Sequence, residues 1–201
     1  YAGLLRVASL KDGDVVFVSA AAGAVGSVVC QIAKIKGHKV IGSAGGPEKV
    51  RFLKEELGVD VAIDYKAEPD LVAALERAAP EGIDVYFENV GGEHLEAALN
   101  SARPFARFAL CGMISMYNAT TPPPGPRNLV QAVGKQLRLE GFIVSSHADM
   151  APAFLKDLAA WRAAGKITWK ETVKEGIEKA PEAFLGLFSG ENFGKMLVKL
   201  S

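Results

Sequence analysis

Apolar residues in this chain come in short, almost continuous blocks, separated by longer stretches in which they recur at three- and four-residue spacing. The blocks at 15–20, 39–44, 61–65, 84–90, 106–112 and 138–144 predict strands. The stretches at 25–36, 47–57, 68–79, 93–100, 127–135 and 149–164 predict helices. Tyr1 to Leu10 reads as the end of a further helix, closed by the turn Lys11-Asp12-Gly13-Asp14. Strands apolar on both sides, alternating with amphipathic helices, imply a parallel sheet covered on both faces. Right-handed crossovers then give an α/β fold, a doubly wound six-stranded Rossmann sheet with ligands at the carboxyl ends of its strands. From Gly165 the rhythm changes: 167–173 and 196–200 read as strands and 181–188 as a short helix, a tail that does not read as another βα repeat. The expected division is 1–164 and 165–201.

The segment Val15 to Ser27 ends a strand in small residues and then opens a helix, with the spacing Ala21-x-Gly23-x-x-Gly26. Such a turn brings main chain close to a pyrophosphate, which the free N–H groups and positive end of the helix attract. Small residues here also suit tight packing alone. A dinucleotide site selective for NAD places a carboxylate at the end of the second strand. This chain has Gly42-Ser43-Ala44-Gly45-Gly46 there, and Lys49 opens the next helix. A lysine attracts the 2′-phosphate that an acid would repel, and Ser43 adds a hydroxyl, so NADP(H) is the expected cofactor.

Composition narrows the partners. Among 201 residues, 23 basic and 23 acidic side chains balance to +0, with no basic block to read as a nucleic-acid or anionic-membrane surface. No apolar run has the length of a membrane span, and no signal-peptide pattern opens the chain, so a cytoplasmic location is expected. Cys30 and Cys111 read as buried free thiols, and His38, His94 and His147 as scattered surface residues, so no zinc site is expected. Asn118 to Pro126 holds four prolines and cannot be regular structure; it serves as a lid, a rim or a plain connector.

Six stretches in order carry a resemblance: Ala-Ala-Gly-Ala-Val-Gly-Ser from Ala21, Gly-Gly-Pro-Glu-Lys-Val from Gly45, Asp64-Tyr65-Lys66, Glu88-Asn89-Val90-Gly91-Gly92, Cys111 to Asn118, and Gly190 to Lys195. Together the chain resembles the zinc-independent medium-chain reductases of the leukotriene B4 12-hydroxydehydrogenase, prostaglandin reductase and alkenal double-bond reductase group. The resemblance implies a cofactor domain followed by a return segment, from Gly165, to a GroES-like catalytic domain whose N-terminal part is absent here. It implies that Ala24, Val25, Gly26 and Ser27 face the pyrophosphate, and that Lys49 and Tyr65, with Ser43 close by, flank the 2′-phosphate. Asn89 would contact the cofactor ribose. Cys111, Gly112, Ile114, Ser115 and Tyr117 would pass under the nicotinamide half. Phe142, Ile143 and Val144 would hold the carboxamide, and Asn192 would reach in from the tail.

The implied chemistry is NADPH-dependent reduction of a carbon–carbon double bond conjugated to a carbonyl, with hydride to the β-carbon, an enolate, then a proton to the α-carbon. Tyr117 is the expected catalytic side chain, hydrogen-bonding the enolate oxygen or relaying a proton; a cofactor ribose hydroxyl is the alternative. Met113 and Met116 suit an adaptable apolar pocket or strand-end core. Quinone reduction and alcohol oxidation are rival activities, and a non-catalytic nucleotide sensor is a rival of another class. The chain alone is expected to be inactive, and the intact protein to be a homodimer paired through its sixth strands.

Overall fold

The computed structural model describes residues 1–200. A six-stranded sheet is built from β1 (Val15–Val18), β2 (Lys39–Ala44), β3 (Val61–Asp64), β4 (Ile83–Glu88), β5 (Ala102–Leu110) and β6 (Arg138–Gly141). Its order is β3-β2-β1-β4-β5-β6 and every pairing is parallel, so the chain is wound outward in both directions from the β1–β4 junction. The helices α1 (Ala24–Ile35) and α2 (Pro47–Glu55) lie on one face, and α3 (Leu71–Ala78) and α4 (Gly92–Ser101) on the other. Both faces of β1 are closed. Val16 and Val18 pack with Val29, Cys30, Phe52 and Leu53, while Phe17 packs with Ile41, Leu75, Tyr86 and Leu99. That burial on both sides is why the strands are almost continuously apolar. This is the doubly wound α/β fold that the pattern predicted.

Boundaries move where side chains compete with the backbone. α3 starts at Leu71 rather than 68 because Asp70 caps it, accepting from the Ala73 N–H at 3.1 Å. β5 starts at Ala102 because a register shift opposite Ile83 to Val85 and a left-handed Phe105 (φ 65°) let the strand run past Pro104. β6 stops at Gly141, so Phe142, Ile143 and Val144 lie beyond the strand, leading into a 3₁₀ segment at Val144–Met150. The expected helix end at Tyr1 to Leu10 is a single π-helical stretch, Gly3–Val7. α5 (Val130–Gly134) and α6 (Ala151–Ala163) flank β6 in the chain. Among the described residues no helix is long and apolar enough to cross a membrane.

The tail corrects one expectation. β7 (Glu171–Glu175), α7 (Ala180–Ser189) and β8 (Lys195–Lys199) do form a βαβ unit, because β7 and β8 pair in parallel and the helix is their crossover. They make a separate two-stranded sheet, with Glu171 opposite Lys195 and Glu175 opposite Lys199. α7 ends on Gly190, whose φ of 72° is the left-handed C-cap that glycine favours. Two histidines also depart from the expectation. His38 and His94 are buried, His38 under the Asp14 carbonyl and His94 on the sheet-facing side of α4, while His147 is half-buried against Phe142. Cys30 is a buried free thiol pushed up to about 12 by burial, and Cys111 is free and half-buried.

Candidate functional site

The first crossover forms a cradle. β1 ends at Val18, Ala20 takes a left-handed conformation (φ 47°), and its carbonyl accepts from the Gly23 N–H at 2.9 Å. Gly23 is the extended residue before α1, and no side chain caps the helix. The first-turn N–H groups of Ala24, Val25 and Gly26 therefore lack intrahelical acceptors, as at any uncapped helix start. Gly26 does the packing work. A Cβ there would meet the Ala21 Cα at 2.8 Å and the Ala20 carbonyl still closer. Ser27 is already inside the helix, 1% exposed, with its N–H on the Gly23 carbonyl at 3.0 Å. Ala20, Ala22 and Gly23 form the cavity wall at this turn; Ala24, Val25, Gly26 and Ser27, expected to face the ligand, do not line it, and Val25 points to solvent.

A cavity of about 990 Å³ runs along the carboxyl ends of the strands from this turn. One end is basic. Lys49, from α2, and Lys66, after β3, both line it, with Tyr65 between them in sequence. Burial, then the neighbouring Lys66 ammonium, lowers the Lys49 pKa from its ordinary value. Lys49 Nζ donates to the Gly190 carbonyl at 2.6 Å, and among the described residues neither lysine is within ion-pair distance of a carboxylate. Gly45 permits this crowding, since a Cβ there would sit 2.8 Å from Lys66 Cε and 3.0 Å from the Tyr65 hydroxyl. Ser43 is placed differently from the expectation. It is fully buried with its Oγ 2.7 Å from His94 Nε2, so His94 rather than Ser43 lines the cavity. His94 in turn meets the Tyr65 ring edge-on at 5.0 Å.

The other end is apolar. Met113, Ile114, Ser115 and Met116 line the larger cavity, and Met113 and Met116 also border a second one of about 720 Å³. Cys111, Gly112, Tyr117, Phe142, Ile143 and His147 line this smaller space; Val144 is exposed outside both. A 3₁₀ turn at Ile114–Met116 folds Tyr117 back, so that its hydroxyl accepts from the Met113 N–H at 3.1 Å while the ring is 63% exposed. Burial pushes the Cys111 thiol up. Asn89 is held away from the open space: its side-chain N–H donates to the Ser19 carbonyl at 2.8 Å. The proline-rich stretch borders the larger cavity through Pro123 to Arg127, and Arg127 is fixed there by Glu96 at 2.7 Å.

The tail closes one wall. The Gly194 N–H donates to the Ala22 carbonyl at 2.8 Å, and Gly194 bridges Gly23 directly. Asn192 lines the cavity with its amide on the Gly194 carbonyl at 2.8 Å. Gln31 of α1, buried, exchanges two hydrogen bonds with the Thr168 main chain at 2.7 and 2.8 Å. Three features were not singled out from the sequence: Lys66, the Ser189–Gly190 corner, and the His94 support under Tyr65. Lys66 follows Tyr65 directly in the Asp64-Tyr65-Lys66 stretch, and its charge at the end of β3 is the signal that points to it.

Residues 24–160 match the family model described as zinc-binding dehydrogenase. The chain belongs to that family. It is 50% identical to prostaglandin reductase 1 of Bos taurus over 201 residues, covering 99% of this chain and 60% of that protein. It is 49% identical to the NADP(+)-dependent 2-alkenal reductase of Nicotiana tabacum, covering 100% and 58%. The crystal structure of CurA in complex with NADPH, from Vibrio vulnificus, superposes with a TM-score of 0.94 at 45% identity, covering 100% of this chain and 61% of that one. These relatives bear out the resemblance to the prostaglandin and alkenal reductase group. The chain spans about 60% of the relatives' length.

Proposed function

We propose that this chain binds NADP(H) along the carboxyl edge of its sheet and serves an enal or enone reductase. One observation carries the reading: Lys49 and Lys66 face one cavity with no carboxylate partner among the described residues, at the end opposite the apolar residues around Tyr117. A 2′-phosphate fits the two ammonium groups, a pyrophosphate fits the N–H groups at the start of α1, and a nicotinamide fits beside Cys111 to Tyr117. The NADP-dependent alkenal reductase and the NADPH-bound structure among the relatives support this choice.

When bound, NADPH supplies the hydride for the β-carbon of a conjugated aldehyde or ketone. The chain's own part is to hold, orient and exclude water. Met113, Met116 and Phe142 offer an apolar wall, and the Tyr117 hydroxyl is a donor for the oxygen on which enolate charge develops. Asn192 and the Gly190–Gly194 loop hold the cofactor from the tail side. The reaction is proposed to run without zinc, as the resemblance to the zinc-independent reductases implies. The tail from Gly165 is proposed as a separate unit, the return to a catalytic domain. Because the chain is about 60% of its relatives' length, it is expected on its own to bind nucleotide without turnover. Pairing of two copies through β6 is supported by its position at the sheet edge and by exposed Val130, Val133, Ile143 and Val144 nearby.

The test is NADPH oxidation by the intact gene product with 2-alkenals, enones, quinones and secondary alcohols supplied separately. Turnover of alkenals and enones above the other two classes is expected. Preference for quinones or alcohols would overturn the substrate class, and NADPH binding with no turnover on any of them would leave a sensor.

A further inference from the structure

Glu88 ends β4 at the β1–β4 junction and is fully buried, yet it lines neither cavity. One of its oxygens, Oε1, accepts from Ser19 Oγ at 2.9 Å, from the Tyr86 hydroxyl at 2.7 Å and from the Val90 N–H at 2.6 Å. Its main-chain carbonyl accepts from the N–H groups of Cys111 and Gly112, at 3.0 and 3.1 Å. Ser19 passes the support on, since its Oγ accepts the Asn89 N–H at 2.9 Å. The two segments that hang on residue 88 are then sewn to each other. The Ile114 N–H donates to the Asn89 carbonyl at 3.2 Å and the Ser115 N–H to the Val90 carbonyl at 3.0 Å. Both segments border the open space between the first crossover and Tyr117.

We propose that Glu88 is a positioning residue that fixes the 89–92 and 111–117 turns for the nicotinamide half of the cofactor. The inference rests on the NADP(H) reading above. A carboxylate oxygen accepts several hydrogen bonds at once and strengthens each of them, which no apolar side chain of that size can do. The second oxygen, Oε2, is buried and takes no donor from the protein. The side-chain tethering therefore passes through Oε1 alone, an atom that a glutamine also possesses. The main-chain carbonyl holds Cys111 and Gly112 whatever side chain stands at 88, so the carboxylate acts on the 111–117 turn through Asn89 and Val90.

The intact gene product is tested as wild type and as Glu88→Gln, Glu88→Ala, Tyr86→Phe and Ser19→Ala. The measured quantities are the dissociation constants of NADPH and of adenosine 2′,5′-bisphosphate, which carries the basic-end groups and no nicotinamide. Glu88→Ala is expected to weaken NADPH about tenfold or more, from the loss of charge-assisted bonds, while the bisphosphate stays within about twofold. Glu88→Gln restores NADPH to within about threefold, because the Oε1 bonds survive. If Glu88→Ala does not fold, Tyr86→Phe and Ser19→Ala each remove one donor and are expected to weaken NADPH about threefold with the bisphosphate unchanged. Equal weakening of both ligands, or no weakening of NADPH in any folded variant, overturns the role of Glu88 and leaves the cofactor reading standing. Wild-type protein that binds neither ligand removes the cofactor reading and this inference together.

Discussion

Acid should weaken this fold through one buried imidazole. His94 is 4% exposed, pairs with Ser43 at 2.7 Å, and carries the Tyr65 ring on its flank. Burial pulls its pKa down to about 4, from an ordinary 6.5. Between these values the unfolded chain takes up a proton that the native protein refuses. Stability contributed by neutral His94 is therefore complete above the unfolded value and is lost as the pH falls from there toward the folded value. Carried through the whole window, a gap of this size is worth on the order of 3 kcal/mol, and about 2 kcal/mol is already gone by about pH 5. Four paired carboxylates titrate below this window. Asp60, Glu96, Asp149 and Glu182 are all held below their ordinary values by lysine or arginine partners, and burial opposes that in each, so their losses come at lower pH. The assay is urea unfolding of the intact protein at several pH values from neutral to about 5, with wild type against His94→Gln; a slope of about 1.3 kcal/mol per pH unit near the middle of the window should vanish in the variant. Identical pH slopes in the two proteins would refute the argument, because no other group distinguishes them.

Four further outcomes follow from the same geometry. Gly26→Ala drives a methyl into the Ala20–Ala21 main chain, so a thermal-stability loss of about 1–3 kcal/mol and weaker NADPH binding are expected by calorimetry and titration. Lys49→Ala and Lys66→Ala should each weaken NADPH about tenfold and leave NADH nearly unchanged, since a charge-assisted bond to the 2′-phosphate is what each loses; equal losses for both coenzymes would place the phosphate elsewhere. Tyr117→Phe keeps the ring and removes the donor, so kcat on an enone should fall with little change in cofactor affinity, and an unchanged kcat removes this hydroxyl from the chemistry. Val133→Arg, on the exposed face beside β6, should convert a dimer to a monomer in sedimentation, and a variant with unaltered mass would disprove pairing at that edge.

The sheet was legible because burial on both faces leaves a direct trace in composition: Val16, Phe17 and Val18 are all fully buried, and a strand solvated on one side would have alternated. Caps and bulges were less legible. Asp70 and the Pro104–Phe105 kink shift two element starts, and neither changes the apolar periodicity. His94 did leave a signal that could have been used. It lies three, four and seven residues before Ala97, Ala98 and Ser101, all buried, so it shares the inward stripe of α4. Ser43 shows the opposite difficulty. A hydroxyl at the end of β2 suits a phosphate by residue type, but alternation along the strand decides which side it takes, and that side belongs to His94.

The least legible contact is the one that shapes the basic end of the cavity. Nothing local joins Gly194 to Gly23 or Lys49 to Gly190; each pair is far apart in sequence and is brought together only when the βαβ tail folds against α1 and α2. The consequence is electrostatic. Lys49 gives up hydration to reach a neutral carbonyl, beside a second ammonium, and its lowered pKa records that deficit. An anion placed between Lys49 and Lys66 reverses the sign of both terms, replacing repulsion by attraction and lost hydration by charge-assisted bonds. On the proposed cofactor reading, the two lysines gain most from the one substituent that separates NADP from NAD, and the tail, which supplies the Gly190 carbonyl beside Lys49, is proposed as part of that selectivity.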